Sequence, residues 1–296
     1  MGLVIALHRL SEGPDFLDDN LGNVISIKSL RGLIDHFRDQ SFVGLDHLLE
    51  SQHNSKNLIS LTFDDGNSSV CSLASPFLYE KGIPFSVFIN SFNTLSGEPH
   101  WFEILEAGIR LSNKESLAYN GERLSLDNPS NKLESLKQIK KSLKQIAIKK
   151  EDIDVVLNSL GIPYDYASEF AKKRDCMIPP SDIRKLSELG VEIGSHGRKH
   201  QILTRIQESE QEGEVTKSKK DIEEITRKEC RYFSYPNGWI TDYNLAIMDL
   251  LKRSGYKGAF TARTSLAESE IPAVLKKYEM PRWCPSEKSI RILLNS

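Results

Sequence analysis

The stretch Leu61-Thr62-Phe63-Asp64-Asp65-Gly66 constrains the fold of this chain more than any other. Leu58, Ile59 and Leu61 lead into it, and this apolar run predicts a buried strand. Two adjacent carboxylates follow, then a glycine that lets the chain turn. Neighbouring residues on a strand point to opposite faces, so a continuing strand could not aim both carboxylates at one site. A strand that ends at Asp64 and turns through Gly66 could. Burying two carboxylates together is unfavourable unless a cation or a hydrogen-bond network compensates. The rest of the chain is therefore expected to supply positive charge, and metal-binding residue types are the first candidates.

The flanking pattern sets the fold class. Strands are predicted over residues 2–7, 58–63 and 83–89. Helices over 29–40, 45–51 and 70–81 fall between them, each with apolar positions at three-to-four spacing. Residues 11–27, with Gly, Pro and Asp, read as a loop. Strand alternating with helix argues for parallel strands joined by crossover helices. The alternation stops over about 97–173, where the periodicity predicts helices over 101–111, 132–149, 151–160 and 164–173 and no strand. This is read as a helical insertion, with its lysine run a solvated face. After Pro179-Pro180 the pattern resumes. Helices are expected between Ser181 and Gly190, over 205–227, over 241–254 and over 288–294. Strands are expected over 191–194, 231–234, 258–261 and 278–283. At 296 residues the chain reads as one large domain or two small ones, interrupted by this insertion.

Composition excludes more than it identifies. The chain is 39% hydrophobic and 27% charged with a net charge of −2, which gives no support for nucleic acid as a partner. No run is long enough to span a bilayer. The first ten residues lack a basic segment and a cleavage site, so the expected location is cytoplasmic, with the inner membrane face as an alternative. Cys71, Cys176, Cys230 and Cys284 have no metal-site spacing and are expected to be packing thiols.

A second motif supplies the positive partner. His196 and His200 lie in Ser195-His196-Gly197-Arg198-Lys199-His200, directly after a predicted strand. A helical turn there would set both imidazoles on one face. The carboxyl ends of parallel strands gather at one rim, so this segment and the Asp-Asp pair are expected to meet. Two His and one Asp around an open position form a catalytic zinc-type arrangement. The second carboxylate is then free to act as a base.

The two motifs together resemble the polysaccharide deacetylase (NodB-homology) family. The resemblance covers roughly residues 3–95 and 175–285. It implies a carbohydrate esterase on a distorted, incomplete (β/α) barrel, an α/β fold. By position, Asp64 matches the catalytic base, while Asp65, His196 and His200 match the metal triad. The implied cofactor is a divalent metal, zinc first, with cobalt or nickel as alternatives. The family's third motif, Arg-Pro-Pro-Tyr-Gly, corresponds to Ser234-Tyr235-Pro236-Asn237-Gly238. This makes the N–H of Asn237 the expected oxyanion donor, since Pro236 has none.

Two departures from the family pattern matter. Its arginine is replaced by Ser234; Arg231 is three residues upstream on the strand, and Arg282 is the better candidate to pair with Asp64. The histidine expected late in the chain, near a Leu-x-His motif, is missing. His8, at the end of the first strand, is the candidate general acid. His36, His47, His53 and His100 read as surface residues. Trp239 and Trp283 are candidates to line a sugar groove, and Trp101 to reach over it as a lid.

The expected activity is removal of an N-acyl group, acetyl first, from an amino sugar. The expected partner is a carbohydrate, with a nucleotide-linked or a lipid-linked sugar as the forms considered, in surface-polysaccharide biosynthesis. The alternatives are hydrolysis of a non-sugar amide on the same fold, or a catalytically silent carbohydrate-binding protein.

Overall fold

The computed structural model describes residues 2–51, 56–174, 176–264 and 273–295. Its centre is a parallel sheet of seven strands. In chain order these are β1 (Leu3–Leu7), β2 (Ser41–Phe42), β3 (Leu58–Phe63), β4 (Phe85–Ile89), β5 (Glu192–Ser195), β6 (Tyr232–Ser234) and β7 (Gly258–Phe260). They pair in the order β1-β3-β4-β5-β6-β7, with β2 against the start of β3. The strands are buried almost throughout, as expected where both faces of a parallel sheet are covered.

The wall curves until β7 and β1 face each other across one gap. The Thr261 N–H donates to the Met280 carbonyl at 2.8 Å, and the Met280 N–H donates to Ala259 at 2.9 Å. Trp283 exchanges two 2.8 Å bonds with Val4 and Ala6 of β1. Residues 280–283 therefore fill the gap through single bridges instead of the regular strand expected over 278–283. Pro281 has no N–H to give to a ladder, which is reason enough for the break. The result is a distorted, incomplete (β/α) barrel.

The crossover helices are amphipathic and capped. Ser26 Oγ accepts from the Ser29 N–H at the start of Ile27–His36, and Asn244 Oδ1 accepts from the Ile247 N–H at the start of Leu245–Arg253. With Pro180–Glu188 and Glu287–Leu294, these helices bury Leu30, Leu33, Ile183, Ile247 and Ile290 against Ile5, Leu61 and Val87 of the strands. No described helix is long and apolar enough to cross a membrane.

The insertion has its own core, in which Leu105, Leu136, Ile139, Val156, Leu157 and Ala167 are buried. Its helices are Trp101–Leu111, Pro129–Leu143, Lys150–Leu160 and Tyr164–Arg174. Gly108 permits the first and third to approach closely, since a Cβ there would lie 2.2 Å from Leu157 Cδ2.

Further segments differ from the sequence expectation. The insertion contains an antiparallel hairpin, Ser116–Tyr119 with Glu122–Ser125, turned by Asn120 and Gly121 at φ 49° and 79°. Asn-Gly is the dipeptide that a two-residue turn of this hand prefers. Residues 11–27 are not all loop. Arg9–Ser11 and Val24–Ser26 pair in parallel around the helix Phe16–Leu21, which Asp15 and Asp18 cap reciprocally. The same aspartates that suggest a loop also start helices. Finally, the helix expected over 205–227 is segmented: Glu208–Glu212 and Ser218–Thr226 flank a π turn, Gly213–Lys217.

Candidate active site

Asp64 follows β3, His196 follows β5, Ser234 ends β6, and His8 follows β1. All sit at the carboxyl rim of the barrel, where crossover connections leave room for side chains to converge. The backbone fixes the approach: the Asp64 N–H donates to the Leu7 carbonyl and the His196 N–H to the Ile89 carbonyl, each at 2.8 Å.

The two carboxylates part at the end of β3. Asp65 adopts φ 72°, a left-handed value rare outside glycine, and Gly66 follows at φ 73°. This turns the two side chains to separate partners. Asp64 receives a bidentate pair from Arg282, Nη1 to Oδ1 at 2.8 Å and Nη2 to Oδ2 at 2.7 Å. Ser234 Oγ donates to Asp64 Oδ2 at 3.0 Å and itself accepts from Arg282 Nη2 at 2.7 Å. Arg282 Nε donates to the Thr261 carbonyl at 3.0 Å, so the guanidinium is held on both edges. Both residues are 2% exposed. Burial pushes the Asp64 carboxyl up, but the charge and hydrogen bonds of Arg282, together with the nearby imidazoles of His196 and His8, hold the group below its usual range. Burial likewise pulls Arg282 down, and Asp64 more than reverses this.

Asp65 turns toward the histidines. Its Oδ1 lies 3.3 Å from His196 Nε2 and 3.4 Å from His200 Nε2. Among the described residues, these three form the one cluster with ligand-type atoms close enough to share an ion. Asp65 Oδ1 is buried with no hydrogen-bond donor in good geometry. Such an orphaned acceptor facing two imidazole nitrogens fits a cation between them. His196 Nδ1 lies 2.8 Å from the Ser234 carbonyl, which assigns the proton to Nδ1 and leaves Nε2 for a metal.

The segment between the histidines is not helical. Gly197 and His200 take φ 77° and 56°, and the loop folds back on itself to bring both Nε2 atoms together. Two supports hold it. Buried Glu214, carried on the π turn, accepts the N–H groups of Arg198 at 2.7 Å and Lys199 at 3.0 Å. Asn90 donates to the His196 carbonyl and accepts at 2.9 Å from His100 Nε2. His100 is therefore not a surface residue. It is 1% exposed, its Nδ1 lies 3.1 Å from Glu103 Oε2, and its ring centroid is 5.7 Å from that of His200. His36 and His47 are exposed as expected; His53 lies outside the described residues.

A cavity of about 690 Å³ opens over these groups. Its wall includes His8, Asp64, Asp65, His196, His200, Asn237 and Arg282. The Asn237 backbone is at φ 63°, and no described residue accepts its N–H. Its side chain is engaged elsewhere, donating from Nδ2 to Asp242 at 2.6 Å. Arg231 points away from the site to Glu192 and Asp46.

The tryptophans separate. Trp239 is 58% exposed on the cavity wall. Trp283 packs into the core edge-on to Phe37 and does not line the cavity. Trp101 does not roof it either; it packs on the insertion core beside a different cavity, walled by Phe92 and Tyr164. Cys176 is exposed, so it is not a packing thiol. Nothing in the sequence pattern points to Glu214, Asn90 or the hydroxyl of Ser234, because each acts through a distant backbone or carboxylate.

The polysaccharide deacetylase family model matches residues 51–164 and 156–259. No curated protein matches the chain. Among solved structures it is similar to the Streptococcus pyogenes deacetylase PplD in complex with acetate, at 13% identity and TM-score 0.62, covering 99% of this chain and 96% of that one. It is also similar to IcaB from Ammonifex degensii, at 15% identity and TM-score 0.57, covering 100% and 97%. A third is a de-N-acetylase from Aggregatibacter actinomycetemcomitans, at 13% identity and TM-score 0.57, covering 99% and 98%. At these identities the likeness is one of fold.

Proposed function

The chain belongs to the polysaccharide deacetylase family, and from that premise we propose that it hydrolyses the N-acyl group, acetyl first, of an amino sugar with a divalent metal held by Asp65, His196 and His200. The observation that carries this reading is the division of the carboxylate pair. One carboxylate turns a buried oxygen that has no hydrogen bond toward two imidazoles; its neighbour is locked to an arginine on the same cavity wall. A bound divalent ion supplies Lewis acidity and lowers the pKa of water toward about 7.

The chain's own residues do the rest. Asp64, kept ionised and aimed by Arg282 and Ser234, takes the proton of the attacking water. The Asn237 N–H donates to the developing oxyanion. His8, on the same wall, gives a proton to the departing amine. Zinc is the first metal expected, with cobalt and nickel also suited to two imidazoles and a carboxylate. Exposed Trp239 offers a flat apolar face for a sugar ring.

The test uses the full chain purified without chelator. Metal content is measured together with acetate release from N-acetylglucosamine oligomers and from nucleotide-linked N-acetyl sugars. A stoichiometric divalent metal and metal-restored release are expected. No bound metal and no release from either substrate type would sink the proposal.

A further inference from the structure

The helix Pro129–Leu143 ends above the catalytic cavity, and Lys137, Lys140, Lys141 and its C-cap Lys144 all line that cavity. They fall at i, i+3, i+4 and i+7, one face of a helix. The lysine run is therefore not simply a solvated face: part of it forms a roof over the reacting groups. Basic residues in a last turn suit the helix dipole on any side. The dipole does not account for four of them sharing the cavity side, where like charges three and four apart repel.

Most of the charge there has no carboxylate partner among the described residues. Lys140 has Glu106 Oε2 at 3.7 Å. Lys144 donates only to the neutral Asn237 Oδ1, at 2.6 Å. No carboxylate pairs with Lys137, Lys141 or Lys144 among the described residues. Arg205 adds a fifth cation to the wall. Three acids line the same cavity, and all are committed. Asp64 holds Arg282, Asp65 faces the histidines, and Asp242 accepts from Asn237 Nδ2 and, at 2.8 Å, from the Trp239 N–H. A chain with a net charge of −2 thus gathers unpaired positive charge at its reaction site.

We propose that the substrate is an anionic amino sugar whose attached phosphoryl group docks on Lys137, Lys141 and Lys144. This deepens the deacetylase reading and rests on it. From Lys137 to Lys144 the stripe runs about 10 Å along the helix, enough for a diphosphate or a phosphodiester. A single carboxylate would answer one lysine and leave the others repelling. Lysine ammonium groups on flexible stems suit phosphoryl oxygens as point charges.

Two measurements on the metal-loaded full chain test this, each comparing the wild type with Lys137→Gln/Lys141→Gln. The first is inorganic pyrophosphate binding by calorimetry. The expected result is affinity at least about tenfold weaker in the variant, the scale of losing one charge-assisted hydrogen bond. Equal affinity in the two proteins overturns the proposal. The second is the ratio of kcat/KM for a phosphorylated N-acetyl sugar to that for a neutral N-acetylglucosamine oligomer, expected to fall about tenfold in the variant. A nucleotide diphosphate sugar, a sugar 1-phosphate and a phosphodiester-linked disaccharide serve as separate arms and identify the phosphoryl source. Turnover of neutral oligomers with no preference for any phosphorylated arm overturns the docking site and leaves the deacetylase reading intact. Pyrophosphate binding that depends on the lysines, with no acetate released from any arm, supports the docking site and counts against the deacetylase reading.

Discussion

Asp64 and Asp65 are adjacent in sequence and opposite in circumstance. Asp64→Asn is expected to keep the metal, since Asp64 faces Arg282 and Ser234, and to lower kcat by about two to four orders of magnitude. Asp65→Ala is expected to lose the metal. Metal analysis beside acetate-release kinetics separates the two; metal loss in folded Asp64→Asn would reverse the assignment. Arg282→Met strands a buried carboxylate and is expected to cost about 3–5 kcal/mol in chemical denaturation. The pair also sets a pH dependence. The Asp64 carboxyl lies lower in the folded chain than in the unfolded one, so the contribution is complete above the unfolded value near about 4. It is lost as pH falls through the folded value. Between pH 6 and 3 the wild type should therefore lose more stability than Asp64→Asn. His8 was nominated from the sequence as a histidine at a strand end; it lines one cavity with both aspartates because β1 and β3 pair directly, Leu7 opposite Phe63.

At the scale of elements, the π turn Gly213–Lys217 carries a prediction of its own. It presents Glu214 to two backbone N–H groups between His196 and His200 without touching either imidazole. Such turns cluster at functional sites because they displace one side chain from the helical register. Glu214→Ala should weaken metal affinity by about tenfold, and Glu214→Gln should restore most of it, because an amide oxygen can accept the same two bonds. Metal titration checks this; equal loss in both variants would reject the positioning role. Periodicity located a helix here but could not show the extra residue, since one widened turn barely disturbs a three-to-four pattern. The hairpin at Asn120-Gly121 was legible in its turn dipeptide, whereas the flanking strands are too short for alternation to compete with the surrounding helical spacing.

At the scale of the whole molecule, the insertion and barrel are joined by buried charge. Asp18, beside the N-terminal strands, accepts from Arg9 Nη2 at 2.8 Å and from Arg110 Nη2 of the insertion at 3.0 Å, with Arg174 also on the same oxygen. Removing that carboxylate leaves buried guanidinium groups short of a partner. Asp18→Ala is expected to lower stability by about 3–5 kcal/mol in chemical denaturation, and a change within about 0.5 kcal/mol would show the network to be incidental. The same joint fixes where the lysine helix lies over the rim, so the insertion contributes to the site from outside the two motifs.

The sequence by itself determined the barrel class and the strand that ends in Asp64-Asp65-Gly66, and it nominated Asp64, Asp65, His196 and His200, which line one cavity. It could do so because strand period, turn chemistry and metal-ligand spacing are local properties. Even Arg282 could be nominated from a missing arginine elsewhere. Only the tertiary structure decided that a left-handed turn at Asp65 parts the two carboxylates, that His100 is buried behind His200, that Trp283 and Trp101 stand clear of the cavity, and that a lysine face looks inward. Those outcomes depend on contacts between segments tens to hundreds of residues apart, where burial and charge are set by what packs opposite and not by the neighbours in the chain.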